Sequence, residues 1–286
     1  MMRNTMFLAI LLSVVGIFSA CTFTASTGGG QSENKQNQPT KKVEAENKST
    51  PQASPTEQNE LVNVIDGRKD WESKDGTKEE TDFINKEYKR SEAAILKSTE
   101  LECDEGTEEG VEIIGTAEGS FTKPNSSQKI YLYERCRSGR SFGIGGILVA
   151  EDGKAVTHYS YGENGLDSGI FSLPDINKNG LSEIGIVAGG TGQGYTNTSV
   201  YLFEFKDGKM NFLGSAATYD DNSGAMEDDS KVETNAYKIS VQAGEKPVFF
   251  REHYQKKGNA DKWSLVKKAE KFSLEKGDVG KYNKIS

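Results

Sequence analysis

Three cysteines, two histidines and two tryptophans are all that 286 residues contain, and these scarcities narrow the chemistry at once. There is no C-x-x-C pair, and neither His158 nor His253 has a cysteine nearby at ligand spacing. A zinc or dithiol redox site therefore has no basis in the chain. No run of Lys and Arg interleaved with aromatics offsets the net charge of −8. Nucleic acid is accordingly not an expected partner. Long hydrophobic runs are missing too: Met6–Ala20 is fifteen residues, short of the ~20 that cross a bilayer as a helix. Aromatics are absent from Thr24 to Asp70, where three of the six prolines lie among Gly, Ser, Asn, Gln, Lys and Glu. Such a segment buries too little apolar surface to offset the entropy of ordering it.

What is present at the N-terminus is one positive residue, Arg3, an apolar run, and the small pair Ser19-Ala20 before Cys21. "FSAC" resembles the lipobox of bacterial lipoproteins, with Phe18 where an aliphatic residue is usual. The resemblance implies a signal peptide over residues 1–20, cleavage before Cys21 and acylation of that cysteine, palmitate among the chains. Each buried lipid methylene contributes about 0.8 kcal/mol, so several chains give a lasting anchor. The expected location is the cell envelope, and Thr22 rather than Asp after the cysteine points to the outer membrane in a Gram-negative host. With Cys21 lipidated, Cys103 and Cys136 remain, and in an oxidising compartment the simplest expectation is a disulfide between them. That cross-link would stabilise the fold by about 3–4 kcal/mol.

Residues 21–80 read as a disordered linker whose root-mean-square reach is roughly 35–40 Å. The globular domain is expected over residues 81–286. In "TDFINKEYKRSEAAILKST", Ile84, Tyr88, Ser91 and Ile95 form one stripe of a helix over about 82–98, with Asp82 as its cap. Beyond Cys103 the chain is mainly β. "QKIYLYERC", "GILVAEDGKAVTHYSY", "SVYLFEFKDGKMNFLG", "AYKISVQAG", "KPVFFREHY" and "WSLVKKAEKFSLE" are strand-like. Asp152-Gly153 and Asp207-Gly208 sit where hairpin turns are expected. The two Asp-Gly-Lys hairpins echo one another after 55 residues. The expectation is an antiparallel domain of propeller-blade-like or sandwich-like units, short of a closed propeller.

The most informative stretch is "FSLPDINKNGLSEIGIVAGG". Asp175, Asn177 and Asn179 alternate, Gly180 permits a sharp turn and Glu183 follows. Alternating oxygen donors in a tight loop converge on a point, as Ca²⁺ requires. Position twelve is Ile186 and a strand follows, so this is not an EF-hand. From Phe171 to Phe205 the chain resembles the calcium loops of FG-GAP and VCBS-type repeats, the blades of integrin-α-like propellers. That resemblance implies Ca²⁺ held by the side chains of Asp175, Asn177, Asn179 and Glu183 and the carbonyl of Leu181. With two carboxylates, affinity would fall in the weak extracellular range, around 10⁻⁴–10⁻³ M. The competing reading is a turn whose Asx side chains bond their own backbone.

Other motifs favour bland readings. Gly-rich "AGGTGQGYT" leads into a strand and not a helix, which argues against phosphate binding. "YDDNSGAMEDD" fits no metal template and reads as a solvated acidic loop. His158 and His253 lie in strand-like segments without a G-x-S-x-G elbow. The expected function is a membrane-anchored envelope lipoprotein whose β domain is a non-enzymatic binding or structural module for a protein or glycan. The alternative is a hydrolase of envelope polymers.

Overall fold

The computed structural model describes residues 60–99, 110–136, 143–162, 167–258, 260–277 and 282–286. The signal segment, Cys21 and Cys103 lie outside them. The order is β1 (Val62–Asp66), α1 (Lys78–Thr99), β2 (Glu112–Gly119), β3 (Gln128–Arg135), β4 (Ile144–Glu151), β5 (Lys154–Gly162) and β6 (Asp167–Ser172). There follow β7 (Ile184–Gly192), β8 (Tyr195–Lys206), β9 (Lys209–Asp221), β10 (Glu233–Gln242), β11 (Val248–Lys257), β12 (Ser264–Phe272) and β13 (Asn283–Lys284). The domain is mainly antiparallel β, as expected. One sheet runs β13-β5-β4-β3-β2, and the other β12-β11-β10-β9-β8-β7-β6, with β1 added alongside β10.

Both Asp-Gly hairpins form where expected, joining β4 to β5 and β8 to β9. Asp152 and Gly153 take φ of 51° and 71°, and Asp207 and Gly208 take 52° and 68°. Two consecutive left-handed residues match the right-handed strand twist, and Asp-Gly tolerates them best.

Two boundaries differ from the sequence expectation. The linker was expected to reach residue 80, yet β1 is a strand within it, with Val64 and Ile65 buried against β10. A run of five residues without an aromatic is invisible in a long polar window, although "VNVID" carries a short aliphatic alternation. The helix also begins earlier, and Asp82 does not cap it. Thr77 Oγ1 accepts from the Glu80 amide at 3.3 Å, while the Thr77 amide donates to Glu80 Oε2 at 2.8 Å. This reciprocal pair is a capping box, spelled by Thr77-x-x-Glu80. Asp82 is exposed and pairs with Lys78 at 3.5 Å.

Three apolar layers result. Between the sheets, Ile130, Leu132, Ile147 and Tyr159 of the smaller sheet meet Ile184, Ile186, Phe203 and Phe205 of the larger. Ile84, Tyr88 and Ile95 of α1 cover the smaller sheet's other face, against Tyr131, Tyr133 and Leu148. Strands β3 and β4 are thereby buried on both faces, which erases the alternation expected of a half-exposed strand. Beyond the larger sheet, Val187, Val200, Leu202, Ile239 and Val241 gather with Val64 of β1 and with Leu173 and Ile176. Close packing is strict here: a Cβ on Gly146 of β4 would stand 2.1 Å from the Tyr133 ring.

His158 on β5 is 1% exposed, and its Nε2 is 2.6 Å from Tyr133 Oη. Burial, helped by the Arg90 charge, lowers its pKa to about 4. A folded-state pKa below the unfolded value of ~6.5 means that the unfolded chain binds the proton first as pH falls. Stability from this group is complete above pH ~6.5 and is lost progressively down to pH ~4, by about 2 kcal/mol at pH 5. Wild type should therefore lose several degrees more in melting temperature than His158→Gln between pH 7.5 and 5. Parallel curves for the two proteins would show that the buried imidazole carries no such cost.

Candidate functional site

The loop singled out by sequence, residues 173–183, joins β6 to β7 as a hairpin. Its base is closed by the Leu173 amide donating to the Glu183 carbonyl at 2.8 Å, and Leu173 and Ile176 are buried beneath it. It is also tied to both sheets. The Ser182 amide donates to the Ser120 carbonyl at 2.9 Å, in the turn between β2 and β3, and Ser182 Oγ accepts from the Ser120 amide at 3.1 Å. On the other side, the Ile176 carbonyl accepts from the Gly244 amide at 2.9 Å, in the turn between β10 and β11. The sequence therefore folds here into a polar arch pinned at its feet by apolar residues.

Within the arch the alternating side chains bond the backbone. Asp175 Oδ1 accepts from the Asn179 amide at 3.0 Å and Oδ2 from the Gly180 amide at 2.9 Å. Asn177 Oδ1 accepts from the Asn179 amide at 3.1 Å, and Asn179 Oδ1 from the Leu181 amide at 2.8 Å. Lys178 and Gly180 adopt φ of 64° and 87°. These are the self-satisfying Asx bonds of an ordinary turn. They do not exhaust the donor set, because each such oxygen keeps a further lone pair.

Glu183 departs from an ordinary turn. It is fully buried, and Oε2 accepts from the Ile176 amide at 2.9 Å. Its other oxygen, Oε1, has no hydrogen-bond partner among the described residues. Burial, with the nearby charges of Asp175 and Glu204 adding to it, raises its pKa to about 7. Glu204, on β8, also accepts from Asn177 Nδ2 at 2.6 Å. It was not visible as a site residue, since it lies far along the chain in a strand pattern, "YLFEF", that gives it no distinguishing spacing.

Of the expected ligands, the structure brings Asp175, Asn177 and Glu183 into one electrostatic neighbourhood. Asn179 is exposed at the tip, and Leu181 is half-buried with its amide taken by Asn179. Among the described residues, no three His, Cys, Asp or Glu side chains are grouped to hold a metal ion. Any ion here would thus rely on amide and backbone oxygens beside two carboxylates, a donor set that suits Ca²⁺ and not zinc. The unpartnered Glu183 Oε1 is the atom that fits such an ion.

The histidines pair with other groups. His158 is bonded to Tyr133, and His253 Nε2 lies 2.8 Å from Asn235 Oδ1, stacked on Tyr237. Ser160 Oγ lies 2.8 Å from Ser98 Oγ. No known protein family matches the chain, and no curated protein sequence matches it either.

Glu183→Gln isolates the buried carboxylate. In EDTA at pH 8, where burial opposes the charge, the variant should melt at or a few degrees above wild type. Millimolar Ca²⁺ should raise the wild type and leave Glu183→Gln where it was. A wild type indifferent to Ca²⁺ would identify the arch as a self-bonded turn.

Proposed function

We propose that the protein is a lipid-anchored lipoprotein of the cell envelope whose β domain is a non-enzymatic binding or structural module braced by calcium. The observation that carries the calcium part is the fully buried Glu183 carboxylate with one oxygen unpartnered. The loop's similarity to those of FG-GAP and VCBS-type repeats supports the same reading. Asp175, Asn177, Asn179 and Glu183, with the Leu181 carbonyl, would hold the ion. Bound there, Ca²⁺ would supply charge balance for the buried carboxylate. The chain itself fixes the arch at three places: Ser182 on Ser120, Ile176 on Gly244 and Asn177 on Glu204. The role is bracing, and the contacts of the two histidines lend nothing to the hydrolase alternative.

The anchor part rests on "FSAC" after a short apolar run. Intact mass after detergent extraction should show a chain starting at Cys21 with its acyl chains, and Cys21→Ala should be released in soluble form. An unmodified, soluble wild type would end the lipoprotein reading.

The proposed Cys103–Cys136 disulfide rests on parity once Cys21 carries lipid and on the oxidising compartment that the anchor implies. Non-reducing peptide mapping should recover the linked pair. Loss of the link in Cys103→Ser should lower stability by about 2–4 kcal/mol. Alkylation of both thiols in the untreated protein is the contrary result.

Calcium affinity is tested by mass action. About 5 mM Ca²⁺ on a ~0.5 mM site adds about 1.4 kcal/mol, a few degrees for a domain of this size. Mg²⁺ should do less, because it holds a tighter octahedral shell and sheds water reluctantly. Asp175→Ala should abolish the calcium shift while the fold persists, and an equal shift in that variant would remove the arch as the site.

A further inference from the structure

Both tryptophans of the chain, Trp71 and Trp263, line one cavity of about 580 Å³. Trp71 lies in the connection between β1 and α1, and Trp263 just before β12, so two distant segments deliver the same rare residue to one place. The wall between them carries Thr196 and Thr198 of β8 and Thr218 of β9. We infer that this cavity is a saccharide site, and that the saccharide it takes carries a carboxylate. The inference deepens the binding-module reading by naming a ligand class.

The chemistry of the lining makes the case. Indole rings offer broad, flat apolar faces with a polar edge, which suits the C–H faces of a pyranose. Hydroxyls that both donate and accept suit a hydroxyl-rich ligand. Thr196 and Thr198 are half-buried at this wall, whereas Thr218, 1% exposed, donates its Oγ1 to the Thr198 carbonyl at 3.1 Å and braces the wall. The volume lies in the range that encloses a small ligand. Among the described residues, no helix begins at this cavity to offer amides to a phosphate, which disfavours a nucleotide.

Charge selects among saccharides. Arg68 is committed to Asp66 through bonds of 2.8 and 2.6 Å. Lys69 and Lys256, in contrast, make no ion pair among the described residues, and against them the lining sets only Asp70. Asp220 and Asp221 lie close enough to act on the lining residue Tyr219, Asp221 also faces Lys256, and Asp66 faces Lys69. The cavity is therefore not a net positive patch, and the selecting charge is the placed ammonium of Lys256. Lys256 Nζ stands 4.6 Å from the Trp263 ring centroid, which holds a cation beside the platform on which a sugar would stack. Trp71 is equally placed by its surroundings. It packs on Phe171 at 5.1 Å, and a Cβ on Gly169 would stand 2.1 Å from its Nε1, so only glycine permits this seat.

Because the two tryptophans are the protein's only ones, intrinsic fluorescence reads the cavity directly. The mature full chain in detergent would be titrated with trigalacturonate, with muramic-acid-containing glycan fragments, with neutral maltotriose and with ATP. A saturable emission change with at least one acidic saccharide is expected, at least about tenfold weaker for maltotriose. The arm that saturates tells a uronic-acid polymer from a muramic-acid glycan. Lys256→Gln should weaken acidic binding about tenfold, and Trp263→Ala by at least as much, read through the remaining Trp71. Trp263→Phe, which keeps an aromatic face, should stay within about threefold. Unchanged melting of the variants separates lost binding from lost fold. No saturation by either acidic saccharide up to ~10 mM, equal affinity for maltotriose, saturation by ATP alone, or full binding by Trp263→Ala would each overturn the inference. Such a failure stays distinct from that of the lipoprotein and calcium readings, which are read by mass and by melting.

Discussion

The buried carboxylate of Glu183 is the constraint around which the β6–β7 arch is organised. A charged group removed from water must be neutralised or compensated. The chain supplies the Ile176 amide at 2.9 Å, with a smaller contribution from Glu183's own backbone, and places Asp175 and Glu204 near enough to make the charge costlier still. Two outcomes satisfy the physics near neutral pH: a shared proton or a bound cation. Since the same arch is hydrogen-bonded to turns of both sheets, whichever outcome holds also sets how firmly that end of the sandwich is joined. A carboxylate of this kind contributes little to stability alone. It makes stability respond to what surrounds it.

The Asx bonds within the arch do not decide between the outcomes. Asp175 grips two amides and Asn177 and Asn179 one each, which shapes the loop without any ion. That preshaping is also what a weak ion site needs, because a loop ordered beforehand loses little entropy on binding. The discriminating feature is therefore Glu183 Oε1, which bonds to nothing that shapes the turn.

How much was legible in the sequence follows from how local each signal is. The Asp-Gly turns were readable because two backbone residues with positive φ impose their own chemistry. The antiparallel character of the domain was readable from the runs of Val, Ile, Tyr and Phe. The assignment of strands to sheets was not. The hairpins β4–β5 and β8–β9 look alike along the chain, yet they belong to opposite sheets. The cap was misplaced because Asp82 drew attention from Thr77-x-x-Glu80, a four-residue signal that was present. β1 was lost inside a polar window, and its burial depends on a partner, β10, far along the chain. In the site, Asp175 and Glu183 were fixed by spacing, whereas Glu204 reaches the loop only through the pairing of β7 with β8. The cavity with both tryptophans was illegible for the same reason, since no local pattern links residue 71 to residue 263.

The positive charge near that cavity has a plainer explanation that must be separated from it. β12 is an edge strand, exposed along most of its length, and it carries Lys267, Lys268 and Lys271. Lysines on an edge discourage pairing with a second chain, and Leu265 and Val266, about half exposed, make that protection useful. Those lysines need no ligand. Lys256 differs in position: it lies on β11, lines the cavity and sits over the Trp263 ring. The aromatic face beneath Lys256 contributes about 0.5–1 kcal/mol on its own, so the contact holds the ammonium in place with or without a ligand. On the inference above, that fixed ammonium would meet the carboxylate of the sugar. The exposed lysines of β12 need only edge protection to explain them, and Lys256 alone is asked to serve recognition.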